Sequence, residues 1–357
     1  MNLGGAETLI MNLYRNIDRS KVQFDFLLHC SEESAYEKEI LSMGGRIFRI
    51  PRYLGYNKRS YEKNLTDFLL SHPVYTIVHD HLMDSAAETL KVVKKLGRIA
   101  VAHSHAAPDS FSLTDVYRFF FRRNLWKIAD YRFACSDAAG RWLYRNKADF
   151  TVLKNGINTE NFRFSKEIRT SERSEFKIKE TTRLYGNVGR LDKSKNQIRL
   201  LEIMKQILMF QPDSRLMLVG NGPLEKQIRE TIVRMNMQDK VILTGPRKDV
   251  NELLCAMDSF IFTSVSEGLG IALVEAQASG LPCIFTDTIP KEVDLIPELI
   301  HRVSLSEPDE TWANTAIKAS PSNDRINAWK IVADKGYDIK TSAIQLQKFY
   351  LGLLEFK

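Results

Sequence analysis

Short apolar runs alternate with longer stretches of helical period along most of the chain, the pattern of a parallel sheet wound with helices. In the first half, strands are predicted over Phe24–Cys30, Arg46–Pro51, Tyr75–His81, Arg98–His103, Tyr131–Ser136 and Phe150–Leu153. In the second half they are predicted over Leu184–Val188, Arg215–Val219, Val241–Thr244, Ser259–Thr263 and Pro282–Thr286, with helices over Gln197–Phe210, Leu224–Met235 and Ile271–Ser279. Between the two series lies the charge-dense segment Ser165–Thr182, which has the composition of a linker or long loop. The expected fold class is α/β, two doubly wound domains that bind ligands at the carboxyl ends of their strands, with a cleft between them as the expected site. The chain goes straight from Met1–Gly5 into the helix-like stretch Ala6–Asn16. The strand that normally opens such a domain is therefore expected to be missing.

A length of 357 residues suits two domains, and 44% hydrophobic with 27% charged residues is ordinary globular composition. Four dispersed cysteines without a C-x-x-C pair suggest neither a disulfide framework nor a cysteine zinc site, and point to a reducing cytoplasm. No run of about 18 apolar residues predicts a spanning helix, and no basic-then-apolar N-terminus predicts a signal peptide. Net charge is +7, and residues 51–150 carry 16 Lys and Arg against 10 Asp and Glu. Such a surplus attracts phosphorylated substrates, anionic lipid or nucleic acid without choosing among them. Within it, Val116–Lys127 alternates aromatics with cations. As a helix it would dock at an anionic membrane surface, or it would be an ordinary domain helix burying Phe120 and Leu125. No nucleic-acid motif accompanies it, and no nucleic-acid partner is expected.

The most informative stretch runs from Ser264 to Ala276: a strand end, Glu267, a Gly268-Leu269-Gly270 turn, then a helix carrying Glu275. Backbone N–H groups at such a turn approach an anion at a helix N-terminus, where the dipole also favours negative charge. Glu267 is then placed to accept hydrogen bonds from sugar hydroxyls and Glu275, two helical turns on, from ribose hydroxyls. The plainer reading is an amphipathic helix with a surface Glu at each end. Gly189-Arg190-Leu191-Asp192-Lys193-Ser194-Lys195-Asn196 follows the first strand of the second domain. Arg190 offers a planar fork and Lys195 a point charge for a diphosphate, or both belong to a solvated basic loop. Gly220 and Gly222 before Pro223, and Gly245-Pro246-Arg247, are turns at strand ends that suit a base pocket and are weak functional evidence.

These stretches, in order with Gly4-Gly5-Ala6-Glu7, Asn155-Gly156-Ile157 and Gly280-Leu281-Pro282, resemble the family 4 retaining glycosyltransferases, within them the bacterial capsule and exopolysaccharide enzymes. The resemblance spans almost the whole chain and is most specific from Gly186 to Asp287. Leu269 stands where the family commonly has an aromatic, and Ala272 where it often has proline. The resemblance implies a GT-B architecture: residues 1–165 as an acceptor-side domain, 166–340 as the nucleotide-sugar domain, and 341–357 as a C-terminal helix that packs back on the first. It implies Arg190 and Lys195 at the donor diphosphate, Glu267 at the transferred sugar and Glu275 at the ribose. Leu269, Gly270 and Ile271 would meet the phosphates, with Gly4, Gly5, Gly189, Gly220, Gly222 and Arg247 lining the donor. A family histidine that approaches the sugar maps to His103, with His105 as the alternative. An H-x-H pair taken alone also suits a metal, but no further cluster in the sequence supports that; His79 and His81 read as polar loop groups.

The resemblance further implies retention of configuration without an enzyme nucleophile, the sequence placing no second carboxylate for one, and electrostatic stabilisation of the departing phosphate. No metal and no cofactor is expected, since no D-x-D pair stands at a fitting strand end. The expected activity is transfer from a nucleotide-diphosphate sugar, UDP-linked by expectation, to a polysaccharide or lipid-linked acceptor at the inner face of the cytoplasmic membrane. The competing expectation is an N-terminally truncated, inactive GT-B protein that binds only nucleotide or a partner. An epimerase or phosphorylase on the same fold, or a dinucleotide dehydrogenase, ranks lower, the last because no G-x-G-x-x-G follows an early strand.

Overall fold

The computed structural model describes residues 5–30, 32–82, 84–105, 124–145, 147–322 and 324–355. The chain forms two compact α/β units, Met1–Gly156 with Ile339–Lys357, and Ile157–Asp338. In unit 1, β1 (Phe26–Leu28) pairs in parallel with β2 (Ile47–Arg49), and β3 (Ile77–Asp80), β4 (Ile99–Ser104), β5 (Tyr131–Ala134) and β6 (Thr151–Val152) form a second parallel sheet in that order. Unit 2 is built on a six-stranded parallel sheet. Its strands are β7 (Leu184–Val188), β8 (Arg215–Val219), β9 (Val241–Gly245), β10 (Ser259–Phe262), β11 (Cys283–Thr286) and β12 (Ile300–Val303), in the order β12-β11-β10-β7-β8-β9. From β7 the sheet grows first one way and then, starting with β10, the other. That reversal between β7 and β10 is the switch point where doubly wound sheets bind ligands.

Alternation along each strand explains why the sheet of unit 2 is covered on both faces. In β8, Leu216 and Leu218 enter one core with Leu200, Met204 and Trp312, while Met217 and Val219 enter another with Leu253, Phe260 and Leu273. All four are essentially inaccessible to solvent, as parallel strands between two helical layers must be. The sequence reading passed over β12, whose Ile-His-Arg-Val carries too few apolar positions to announce an edge strand.

The segment predicted as a linker is helical from Lys166 to Glu175 and is part of unit 2. Ser165 caps it, its hydroxyl accepting from the Ile168 N–H at 3.2 Å. The polar composition misleads because Arg173 is buried as a bracket. It donates to the carbonyls of Ala256 (2.8 Å), Lys179 (2.6 Å) and Thr182, and to Asp258 (3.3 Å), which also receives Arg169 at 2.8 Å. The chain accordingly changes unit at 156/157 rather than inside 165–182. There the Ile157 N–H donates to the Tyr337 carbonyl at 2.8 Å and Ile157 packs in the core of unit 2. The final helix begins at Ile339, and Ile339, Ala343, Leu346 and Tyr350 join Leu9, Leu13, Tyr14 and Val101 in unit 1.

Replacing Arg173 by Met leaves those carbonyls without a donor in the interior, so the Arg173→Met protein is expected to lose about 3 kcal/mol in urea denaturation. An unchanged midpoint would show instead that 165–182 is held only loosely.

Candidate functional site

The loops that leave β7 and β10 carry the residues the sequence singled out, and backbone hydrogen bonds stitch the two loops together. The Val265 N–H donates to the Ser194 carbonyl at 2.7 Å, and the Thr263 hydroxyl reaches the carbonyls of Lys195 (3.2 Å) and Asn196 (3.0 Å). In the first loop the Asp192 carboxylate accepts from the N–H groups of Ser194 (3.0 Å) and Lys195 (3.2 Å), a turn that aims the Lys195 side chain. Asn196 then takes a left-handed conformation, φ +55°, and starts the helix Gln197–Phe210.

The stitching brings Lys195 and Glu267 into a direct ion pair through Oε1 of Glu267. The same oxygen accepts from the Ser264 hydroxyl at 2.6 Å, and the ammonium lies 5.3 Å from the centre of the Phe262 ring. Both charged side chains are mostly withdrawn from solvent, at 20% and 12% exposure, so the attraction is little screened. Arg190 is different. Its guanidinium is 71% exposed and only 3.8 Å from Asp192 at its nearest, which leaves it available to a ligand. Sequence reasoning missed Ser264 and Asp192; the D-x-S-K turn pattern was the signal for the second.

Gly270 has φ +87° and opens the helix Ile271–Ala278, whose first-turn N–H groups have no partners within the helix. Leu269, before it, is buried in the apolar core, so its backbone and not its side chain is what a ligand can meet. Glu275 lies on that helix, partly buried, and burial raises its carboxyl to about 7. Among the described residues no hydrogen bond to its carboxylate is recorded. A partly buried carboxylate with no donor is chemically set to receive hydroxyl groups.

The glycines of the β8 turn serve packing. At Gly220, φ +133°, an added Cβ would run into the Gly189 carbonyl, and at Gly222 into the backbone of Leu191. The Leu191 N–H donates to the Asn221 carbonyl at 2.9 Å, which closes the β7 and β8 loops on each other. Gly189 has more room, its nearest neighbour being the Lys195 side chain at 3.6 Å. Arg247 is engaged within its own loop, Nε 2.8 Å and Nη2 2.5 Å from the two Asp249 oxygens, so its guanidinium is committed to the protein.

In unit 1, His103 is 2% exposed and neither ring nitrogen has a hydrogen-bond partner among the described residues, whereas His105 is partly exposed and its Nε2 lies 2.8 Å from Nδ1 of His81. Strand length favoured His103; exposure favours His105. His79 is not a loop group, for it belongs to β3 and its ring stacks 5.3 Å from that of His103, whereas His81 lies in the segment just after the strand. Burial holds the four imidazoles below their ordinary range, His105 at about 4, so they are neutral at physiological pH. Gly5 opens the helix Gly5–Asn16; Gly4 and residues 116–123 lie outside the described residues. Among the described residues no helix is long and apolar enough to cross a membrane.

Two families match the chain: Glycosyltransferase Family 4 over residues 3–161 and Glycosyl transferases group 1 over residues 168–329. The chain is 34% identical to the putative glycosyltransferase EpsF of Bacillus subtilis, across 98% of this chain and 94% of that one. It is 32% identical, over 41% of its own length and 38% of the relative's, to an Escherichia coli UDP-Gal:alpha-D-GlcNAc-diphosphoundecaprenol alpha-1,3-galactosyltransferase. Among solved structures, HepE of Anabaena in complex with UDP superposes with a TM-score of 0.79 at 18% identity, over 98% of this chain and 96% of that one. The fold is GT-B, as in HepE and in WaaG, a lipopolysaccharide glycosyltransferase.

Since burial raises the Glu275 carboxyl from its unfolded value to about 7, folding is favoured by its neutral form and loses stability as pH rises from 4.5 through 7. Glu275→Gln is therefore expected to be more stable than the parent at pH 8, by on the order of 3 kcal/mol, and equal to it near pH 4.5. Melting curves across that range check the sign; a parent protein as stable as the variant at pH 8 contradicts it.

Proposed function

The chain belongs to the family 4 glycosyltransferases, and from that premise we propose that it transfers a hexose, with retention of anomeric configuration, from a UDP-sugar to a polysaccharide or lipid-linked oligosaccharide acceptor in exopolysaccharide or capsule synthesis. The observation that carries the reading is the Lys195–Glu267 pair at the switch point, flanked by exposed Arg190 and unpartnered Glu275. In this reading the donor diphosphate takes the Lys195 ammonium and the Arg190 fork, which releases Glu267 to accept hydrogen bonds from the sugar. Glu275 receives the ribose hydroxyls, and the N–H groups around Gly270 and Ile271 face the phosphates. UDP is favoured because HepE, on the same fold, binds UDP. A lipid-linked acceptor is favoured because the Escherichia coli relative acts on a diphosphoundecaprenol-linked sugar. Such an acceptor places the reaction at the cytoplasmic face of the membrane.

The departing UDP gains negative charge as the glycosidic bond breaks. Lys195, Arg190 and the helix N-terminus stabilise that charge, an electrostatic contribution that needs no enzyme nucleophile. The acceptor hydroxyl attacks from the face the nucleotide leaves, and a donor phosphate oxygen takes its proton. Of the two candidate histidines for the sugar, His105 is partly exposed and His103 is buried. The reading as an inactive, nucleotide-binding module is disfavoured by similarity that runs through 98% of the chain.

Calorimetric titration with UDP, GDP and ADP tests the proposal. UDP is expected to bind, Lys195→Ala and Glu275→Ala to weaken it at least about tenfold, a loss of ~1.4 kcal/mol or more. Glu267→Ala is expected to keep UDP affinity within a few fold while transfer from UDP-sugar falls at least about a hundredfold. A folded chain that binds none of the three nucleotides, or Glu267→Ala with full turnover, overturns it.

A further inference from the structure

We propose that His79, His81 and His103 bind one divalent transition-metal ion of the zinc class at the carboxyl ends of β3 and β4. The register of these strands sets Asp80 opposite Ala102 and, continued by one residue, His81 beside His103. Because side chains alternate along a strand, both His-x-His pairs project from the same face of the sheet. The rings form one stack, with centroids 4.4 Å apart for His79 and His81, 5.1 Å for His81 and His103, and 4.2 Å for His103 and His105. One nitrogen each of His79, His81 and His103 lies within 4.8 Å of the other two. Tetrahedral zinc with nitrogens at about 2.0–2.1 Å needs them about 3.4 Å apart, so side-chain rotations that move each nitrogen by roughly 1 Å complete the set.

The second observation is a deficit of partners. Among the described residues, both nitrogens of His103, which is 2% exposed, and Nε2 of His79 are buried without a hydrogen bond. An unpaired polar atom in the interior costs about 1–3 kcal/mol, and a metal ion supplies the missing partner for a nitrogen lone pair. The third is the outer contacts. Nδ1 of His79 lies 2.5 Å from the Tyr350 hydroxyl, and Nδ1 of His81 lies 2.8 Å from Nε2 of His105. Contacts of this kind, to one ring nitrogen and leaving the other for a metal, are what the outer neighbours of metal-bound histidines supply. Three imidazole nitrogens with no oxygen donor select zinc, cobalt, nickel or copper over magnesium and calcium.

The full chain, stripped with a chelator, is titrated with Co²⁺ and then with competing Zn²⁺, following the visible absorption of Co²⁺ and the melting temperature. One Co²⁺ per chain is expected, displaced by Zn²⁺, with a melting temperature that rises on loading. His103→Phe keeps an aromatic ring in the stack and is expected to abolish the absorption. Tyr350→Phe, which removes only an outer contact, is expected to weaken binding about 10–100-fold and keeps the test decisive if His103→Phe does not fold. A parent chain that binds neither ion, a folded His103→Phe protein that binds as the parent does, or parent-like affinity in Tyr350→Phe overturns the proposal. None of these readouts depends on nucleotide or on sugar transfer.

Discussion

The parallel pairing of β7 with β10 is the constraint on which the candidate donor site depends. It sets Tyr185 opposite Ser259 and sends both following loops off the same edge of the sheet. Lys195 and Glu267, 72 positions apart in the chain, meet there because main-chain and hydroxyl hydrogen bonds fasten one loop to the other. The position of the pair is thus held by backbone, not by the rotamers of two long side chains. The β8 turn adds a third loop to the same body, since Gly220 and Gly222 allow its backbone to lie directly on Gly189 and Leu191.

Electrostatics distinguishes the residues of this body by what each still lacks. Arg247 is paired with both Asp249 oxygens and lies 3.5 Å from a Glu175 oxygen, so its charge is already matched. Lys195 and Glu267 have each other, a pairing that keeps two poorly hydrated charges neutral as a unit. Among the described residues Glu275 has no such partner, and burial pushes its proton affinity up toward neutrality. A nucleotide sugar has the three complements this set lacks: a diphosphate, a ribose diol and sugar hydroxyls.

The same principle of strand register governs unit 1. Two His-x-His pairs that are 24 residues apart become one stack because β3 and β4 are neighbours in register. Among the described residues, only Tyr350 from the final helix and the His81–His105 contact supply these rings with hydrogen-bond partners.

The sequence by itself determined most of the element pattern and singled out the candidate donor-site loops. Leu184–Val188, Arg215–Val219 and Gln197–Phe210 stand where period and turn chemistry placed them, because helical or strand period, glycine turns and caps are local properties of the chain. Only the tertiary structure decided which loops meet, that Arg247 is committed while Arg190 is exposed, that His105 rather than His103 reaches the surface, and that a charged segment read as a linker is bracketed into unit 2 by Arg173. The physical reason is one of range. Strand order and register join residues tens of positions apart through backbone hydrogen bonds, and burial depends on everything packed around a side chain, so neither is written in the spacing of neighbours.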